Sequence, residues 1–123
     1  MMKDLRVLVV DDCQFFGMLL YDCLTSKGLA VEVADCGEQA LRVLEQRRDI
    51  SHVVTDMYMP GIDGDVLAQR LRSMQPGLRI YLHSASSPTA VEGIFHDLRQ
   101  QQTIDGYGFK DDVTAVAAFV LGN

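Results

Sequence analysis

The stretch V-L-V-V-D-D, from Val7 to Asp12, is an apolar run that ends abruptly in two acidic residues. An apolar run of this length without polar alternation is typical of a strand buried on both faces, as in a parallel sheet. Two later segments of strand length also end in polar residues, one at Asp56 and one at Ser84. The sequence therefore predicts a parallel sheet with polar groups at the carboxyl ends of its strands.

Segments of helical periodicity lie between these runs, so strands and helices alternate along the chain. The predicted strands are Leu5–Val10, Ala30–Ala34, His52–Asp56, Arg79–Ser84 and Gly106–Phe109. The predicted helices are Gln14–Lys27, Glu38–Arg48, Asp65–Met74, Pro88–Gln101 and Val113–Leu121. Five such βα units predict an α/β fold, a doubly wound sheet with helices on both faces.

The sequence predicts the caps of two of these helices and the buried side chains of the first. The first is expected to end at Gly28 as its C-cap, and its buried stripe comprises Phe16, Leu19, Leu20, Cys23 and Leu24. The last is expected to begin at Asp111 or Asp112 as N-cap.

The bulk properties limit the class of protein. The 123 residues are expected to form one domain, residues 1–123. A net charge of −6 argues against nucleic acid binding by this domain, which needs clustered Lys and Arg. No apolar run approaches the roughly 18 to 20 residues that span a membrane, and the start lacks a signal-peptide pattern. We therefore expect no membrane contact and a cytoplasmic location.

Five polar residues end or directly follow four of the five predicted strands: Asp11 and Asp12, Asp56, Ser84 and Lys110. In a doubly wound sheet the carboxyl ends of the strands face the crevice where ligands bind. Three carboxylates meeting there repel each other unless a cation offsets them, and Mg2+ prefers such oxygen ligands and accepts phosphate oxygens. Each residue alone has an ordinary alternative as a helix cap, a loop acid, a strand-end hydroxyl or a surface charge. Together they favour a Mg2+ site suited to phosphoryl transfer.

Four sequence blocks carry a resemblance to a known family. They are V-L-V-V-D-D at Val7–Asp12, D-M-Y-M-P-G-I-D-G at Asp56–Gly64, H-S-A at His83–Ala85 and Y-G-F-K at Tyr107–Lys110. In these blocks, and over essentially its whole length, the chain resembles the receiver domains of two-component response regulators. The resemblance implies the flavodoxin-like fold of chemotaxis regulators, a five-stranded parallel sheet of order 2-1-3-4-5.

The resemblance also implies the parts of a phosphorylation site. Asp56 would be the phosphoacceptor that forms an aspartyl phosphate. Asp12 would bind Mg2+ directly and Asp11 at least through water, with Asp56 and the backbone carbonyl of Tyr58 as further ligands. The cofactor expected from the resemblance is therefore Mg2+.

Four further residues would bind the phosphoryl group or respond to it. Lys110 would pair with Asp56 or with its phosphoryl oxygens, and Ser84 would hydrogen-bond the phosphoryl group. Ala85 would leave room for that group, and Tyr107 would change rotamer as the hydroxyl moves. The added charge would then alter the face formed by the fourth helix, the fifth strand and the last helix.

The function implied is that of a phosphorylation switch, which modifies itself and is not an enzyme with a released product. Its expected partners are a sensor histidine kinase or a phosphotransfer protein, together with an output domain or a downstream protein. One alternative is a receiver-like scaffold that binds partners without phosphorylation. Another is a phosphatase with an aspartyl nucleophile, which requires D-x-D after the first strand and a cap domain. The buried-strand residue His83 is interpreted as a hydrogen-bonded core histidine.

The chain departs from the family's usual pattern in two places. Asp111 follows Lys110 where the family usually has proline, and a cis bond before a residue other than proline costs about 3 kcal/mol. We therefore expect a trans bond after Lys110 and an altered loop. The stretch from Ser84 to Lys110 is expected to be a few residues longer than usual, with Gln100–Thr103 as the insertion.

The last predicted helix, Val113–Leu121, contains no charged residue. Its buried stripe is expected to comprise Val113, Val116, Ala117 and Val120. Ala115, Ala118 and Phe119 are then expected to form an apolar patch for a second copy in a homodimer, another partner or a downstream domain. The alternative is that this short helix is unusually deeply buried or frays.

Overall fold

The structure is a computed structural model that describes residues 5–85 and 88–122. Its strands are β1 Arg6–Val10, β2 Ala30–Ala34, β3 His52–Asp56, β4 Arg79–Ser84 and β5 Gly106–Phe109. Its helices are α1 Gln14–Thr25, α2 Gly37–Gln46, α3 Gly64–Met74, α4 Pro88–Gln100 and α5 Val113–Leu121. All strand pairs are parallel and the order is β2-β1-β3-β4-β5. The predicted fold class and strand order are confirmed.

The sheet has an apolar core on each face. Along β1, Leu8 and Val10 belong to the core formed with α2, α3 and α4, whereas Val7 and Val9 belong to the core formed with α1 and α5. All four side chains are buried. A strand covered on both faces needs no polar alternation, which explains the apolar run that opens the chain.

The end of α1 differs from its predicted position. The helix stops at Thr25, where the Ser26 N–H donates to the carbonyl of Asp22 and the Lys27 N–H donates to the carbonyl of Leu24. Gly28 lies beyond this cap, in a turn where its φ of +84° is in the left-handed region. Gly28 therefore shapes the turn into β2 and is not the C-cap itself.

The buried stripe of α1 is narrower than predicted. Phe16, Leu20 and Leu24 are buried, as expected, and they recur every fourth residue along one side of the helix. Leu19, by contrast, is 40% exposed, and Cys23 is half-buried. The contacts of α1 with the sheet and α5 cover one side of the helix, so Leu19 lies toward solvent.

Helix α5 buries most of its predicted stripe. Val116, Ala117 and Val120 are buried and Val113 is half-buried. The helix is capped by Asp112, whose side chain accepts a hydrogen bond from the Ala115 N–H.

Of the three residues in the expected apolar patch on α5, Phe119 makes ring contacts within this chain. Its ring lies 5.1 Å from the ring of Tyr81 and 6.0 Å from that of His52. The guanidinium of Arg79 lies over it at 5.4 Å. Gly106 makes this packing possible, because a Cβ there would lie 3.0 Å from the Phe119 ring. Phe119 therefore packs against this chain on one side, and it is half-buried, as are Ala115 and Ala118.

The two departures from the family pattern lie in short turns. The peptide bonds of the described residues are all trans, including the bond from Lys110 to Asp111. At the end of α4, Gln102 has a φ of +62° and the Thr103 N–H donates to the carbonyl of Leu98. The segment expected to be an insertion thus contains the last residue of α4 and the turn that closes this helix. Within residues 5–85 and 88–122, no helix combines the length and apolar character that a bilayer crossing requires.

Candidate functional site

Three carboxylates meet at the carboxyl ends of β1 and β3, where the order of the strands in the sheet changes direction. Asp11 and Asp12 follow β1, and Asp56 is the last residue of β3, the strand beside it. Because β2 lies on the other side of β1, a crevice opens between the ends of β1 and β3. One oxygen from each of these three carboxylates lies within 4.8 Å of the others.

The two acids after β1 have different environments. Asp11 is 4% exposed, and one of its oxygens accepts a hydrogen bond of 2.8 Å from the Cys13 N–H. Its other oxygen lies 2.7 Å from the Lys110 ammonium. Asp12 is exposed. Asp12 can therefore offer its carboxylate directly to a ligand, while both oxygens of Asp11 already have donors.

Lys110 reaches the crevice from the turn after β5. Its backbone N–H donates to the carbonyl of Ser84 at 2.9 Å, which continues the β4–β5 ladder by one residue. Its ammonium lies 3.5 Å from an oxygen of Asp56, so the shorter contact is the one with Asp11. The expected pairing with Asp56 is present but is shared with Asp11.

The electrostatics of this cluster are set by burial and by like charges. Burial and, to a smaller extent, repulsion from Asp11 raise the pKa of Asp56 to about 6 against the opposing effect of Lys110. Burial alone would lower the pKa of Lys110, but the hydrogen bond from its ammonium to Asp11 and the charge of Asp56 together raise it. Lys110 is therefore charged at neutral pH.

The donor set fits a hard divalent cation. Three carboxylates and one ammonium leave an excess of negative charge, and all three acids offer oxygen. Mg2+ prefers such oxygen ligands and retains several waters, which suits the exposed side of the crevice at Asp12.

Backbone hydrogen bonds and a close glycine contact fix the loop that follows Asp56. The Met57 N–H donates to the carbonyl of His83 at 2.9 Å, and the Gly64 N–H donates to the carbonyl of Met57 at 2.6 Å. Gly64 lies so close to the Asp56 carbonyl that a Cβ would overlap it. Tyr58, whose carbonyl is the predicted fourth ligand, lies on this loop with its side chain 48% exposed.

The remaining predicted residues line the β4–β5 side. Ser84, the last residue of β4, is 1% exposed, and Ala85 after it is exposed. Tyr107 is half-buried in β5, with its ring 5.3 Å from that of Phe95 in α4. Tyr107 thus connects β5 to α4 by an aromatic contact.

Two residues at this site were not predicted to take part in it. The ring of Phe16 lies under the Lys110 ammonium at 4.5 Å, and the Nε2 of His83 lies 3.0 Å from the carbonyl oxygen of Phe109. The apolar pattern of α1 correctly placed Phe16 in the core but does not indicate what its ring faces. For His83 the sequence offered one indication, its position beside Ser84.

Sequence comparisons agree with this geometry. The family model of the response regulator receiver domain matches residues 7–104, which include the three carboxylates and Ser84. The transcriptional regulatory protein GlrR of Escherichia coli K12 is 35% identical over 99 residues, 76% of this chain and 22% of that protein. The virulence sensor protein BvgS of Bordetella pertussis is 46% identical over 71 residues, 58% of this chain and 6% of that protein. The chain thus spans about a fifth or less of the length of these curated relatives.

Solved structures give the same result. A response regulator receiver domain protein from Clostridium thermocellum superposes with a TM-score of 0.77 at 20% identity, covering 95% of this chain and 94% of that one, which shows the fold. The response regulator TrrA of Thermotoga maritima, solved with Mg2+ and BeF, has a TM-score of 0.72 at 29% identity and covers 85% of this chain and 84% of its own. Since the family model matches most of the chain and the strand order agrees, the chain belongs to the response regulator receiver domain family.

Proposed function

We propose that this domain accepts a phosphoryl group on Asp56 from a histidine phosphodonor protein and acts as a signalling switch. The observation that carries the proposal is the cluster of Asp56, Asp11, Asp12 and Lys110 at the crevice between β1 and β3. TrrA, solved with Mg2+ and BeF, supports the same role by similarity. The reaction takes place on the chain itself, so no released product is expected.

The chemistry follows from the charges of the site. Above a pH of about 6 most Asp56 is carboxylate, which is the nucleophilic form. One of its oxygens forms a bond to phosphorus while the bond from phosphorus to the donor's histidine nitrogen breaks, and that nitrogen keeps the electron pair. The Lys110 ammonium and the Ser84 hydroxyl would stabilise the phosphoryl oxygens. Mg2+ held by Asp11, Asp12, Asp56 and the Tyr58 carbonyl would offset the remaining negative charge.

The test is phosphorylation by acetyl phosphate, followed by intact-mass spectrometry with and without EDTA. Wild type is expected to gain one phosphoryl group in Mg2+ and almost none in EDTA. Asp56→Asn is expected to gain none, because the nucleophile is lost. Asp97→Asn, which removes an exposed acid on α4, serves as the matched control. Equal incorporation in wild type and Asp56→Asn would exclude Asp56 as the acceptor.

The route from the pocket to the output is proposed to run through β5 and α4. The rings of Tyr107 and Phe109 in β5 lie 5.3 Å and 6.0 Å from that of Phe95 in α4. A phosphoryl group that draws Ser84 and Lys110 inward would move the ends of β4 and β5, and this aromatic contact would carry the movement to α4. An output domain or downstream protein would then respond to the face formed by α4, β5 and α5.

The donor protein must contact the rim of the crevice, because Asp56 itself is 8% exposed. The first turns of α1 lie on this rim, directly after Asp12. They present Phe15 and Met18, which are 77% and 50% exposed. Exposed apolar side chains beside a buried nucleophile are suited to a protein donor, which supplies contact area that a small phosphodonor lacks.

This docking face can be tested with Phe15→Ser. We expect slower transfer from a phosphorylated histidine phosphotransfer protein and an unchanged rate with acetyl phosphate, because the small donor needs no contact with α1. Ile94→Ser removes an apolar side chain of 41% exposure on α4 and is the matched control. A panel of radiolabelled phosphotransfer proteins provides the measurement. Equal loss with both donors would place the defect in the pocket and contradict the docking role.

A further inference from the structure

The Lys110 ammonium rests against a ring as well as against two carboxylates. Its Nζ lies 4.5 Å from the centre of the Phe16 ring, and the lysine side chain is 15% exposed. A cation is attracted to the negative face of an aromatic ring, most strongly where water is largely excluded. Phe16 is 7% exposed and belongs to the core of α1 and α5, so its ring has a fixed position. The ring thus limits where the ammonium can lie.

The backbone that leads into Lys110 is held by His83. The Nε2 of this histidine lies 3.0 Å from the Phe109 carbonyl oxygen, which belongs to the peptide group that joins Phe109 to Lys110. Since a carbonyl oxygen can only accept, Nε2 carries the hydrogen and donates it. The same carbonyl accepts a second hydrogen bond, at 3.1 Å, from the Asp112 N–H. His83 therefore fixes the first residue of the turn from Phe109 to Asp112.

Phe16 and His83 also support each other. Their ring centres lie 5.0 Å apart, and His83 is 1% exposed. The turn contains Asp111 and a trans bond where the family pattern has proline after the lysine. In this chain the turn after β5 has no proline to restrict its backbone, and contacts from His83 on β4 and Phe16 on α1 restrict it instead.

We propose that Phe16 and His83 are positioning residues that set the place of the Lys110 ammonium, and through it the rate at which Asp56 is phosphorylated. His83 fixes the backbone end of Lys110 and Phe16 fixes its charged end. Both act through Lys110. The inference rests on the proposed function, because its measured consequence is phosphorylation of Asp56.

The first test removes the ring under the ammonium. Phe16→Leu keeps an apolar side chain, and we expect phosphorylation by acetyl phosphate to slow by about threefold to tenfold. Phe119→Leu is the matched control, because that ring lies under Arg79 at 5.4 Å, far along the sheet from the crevice. It should cost stability without slowing phosphorylation. Should Phe16→Leu not fold, a ring-fluorinated phenylalanine at position 16 keeps the shape, weakens the negative face and carries the same expectation.

The second test removes the donor on β4. His83→Phe keeps a buried ring but cannot donate to Phe109, and it is expected to slow phosphorylation. His83→Gln retains an N–H at a similar distance along the side chain and should restore part of the rate. His52→Phe is the matched control, since His52 is also buried but lies at the opposite end of β3.

The decisive comparison repeats these substitutions in a Lys110→Met background. If Phe16 and His83 act through the lysine, neither Phe16→Leu nor His83→Phe should slow the reaction further once Lys110 is gone. The NMR chemical shift of the Lys110 ammonium should also move in each single variant and stay unchanged in the two controls. Additive losses in the Lys110→Met background, or an unmoved shift, would overturn the inference. Failure of wild type itself to become phosphorylated would instead overturn the proposed function.

Discussion

At the residue scale, burial shifts the titration of two neighbouring residues in opposite directions. Burial raises the pKa of Asp56 to about 6 and lowers the pKa of His83 to about 4. In both cases the neutral form is favoured in the folded chain. The raised Asp56 pKa makes the fold lose stability as the pH rises from about 4 to 6, whereas the lowered His83 pKa makes it lose stability as the pH falls over a similar interval.

The contribution of His83 to the pH dependence of folding stability can be isolated with the variant His83→Gln. The unfolded histidine titrates near its ordinary value of 6.5, so the folded state binds fewer protons than the unfolded state between pH 6.5 and about 4. Stability is therefore lost as the pH falls through this window, by about 2 to 3 kcal/mol in wild type relative to the variant. Urea unfolding of both proteins in EDTA from pH 7 to pH 4 measures the difference. Parallel pH curves for the two proteins would contradict a buried neutral His83.

At the element scale, the elements packed against a helix determined which of its apolar side chains are buried, more than the helix's own apolar pattern did. The α5 sequence suggested an apolar patch containing Phe119, but Gly106 and Tyr81 accept that ring against β4 and β5. The α1 pattern suggested that Leu19 would be buried, whereas the helix is oriented with Phe16 toward the sheet and Leu19 toward solvent. In each helix the existence of an apolar face followed from periodicity, and its direction followed from packing.

Phe119→Glu tests the packed position of that ring. The charge would enter a space lined by Tyr81 and His52, so we expect the free energy of unfolding to fall by about 3 kcal/mol or more. Thr114→Glu, an exposed position on the same helix, provides the control and should change stability little. Urea denaturation followed by circular dichroism gives both values. Wild-type stability in Phe119→Glu would show that the ring is not packed within the chain.

At the scale of the whole molecule, the switch depends on ligands that bind the folded crevice and not the unfolded chain. Asp11 and Asp12 lie about 45 residues from Asp56 along the sequence, so unfolding separates the ligand set. Any ligand of the assembled crevice therefore stabilises the fold in proportion to its occupancy. This links metal and phosphoryl binding to global stability.

Mg2+ with beryllium fluoride, a phosphoryl mimic, should raise the free energy of unfolding of wild type. Mass action gives about 2.7 kcal/mol at a hundredfold excess over the dissociation constant. Asp56→Asn should lose the response to beryllium fluoride, since the acceptor oxygen is absent, and Asp97→Asn should retain it. Thermal unfolding with and without EDTA checks both statements. An equal rise in Asp56→Asn would place the ligand outside the proposed crevice.

The sequence by itself determined the order of elements and the residues that end the strands. The bounds of β2, β3, β4, β5 and α5 agree with the pattern residue by residue. The inner strands β3 and β4 are largely apolar because both faces of the sheet are covered, and Gly and Pro mark the interruptions of the helices. The acids Asp11, Asp12 and Asp56 were also predicted to meet, since parallel strands bring their carboxyl ends to one edge.

Only the tertiary structure decided what those residues face. It brought Lys110 closer to Asp11 than to Asp56, placed the Phe16 ring under the ammonium and directed His83 to the Phe109 carbonyl. These contacts join residues that are far apart in sequence, and their geometry depends on the rotation of α1 and on the course of the turn after β5. The local pattern of apolar and polar residues indicates whether a side chain is buried. Which of the available neighbours it contacts is determined when the two faces of the sheet are packed together.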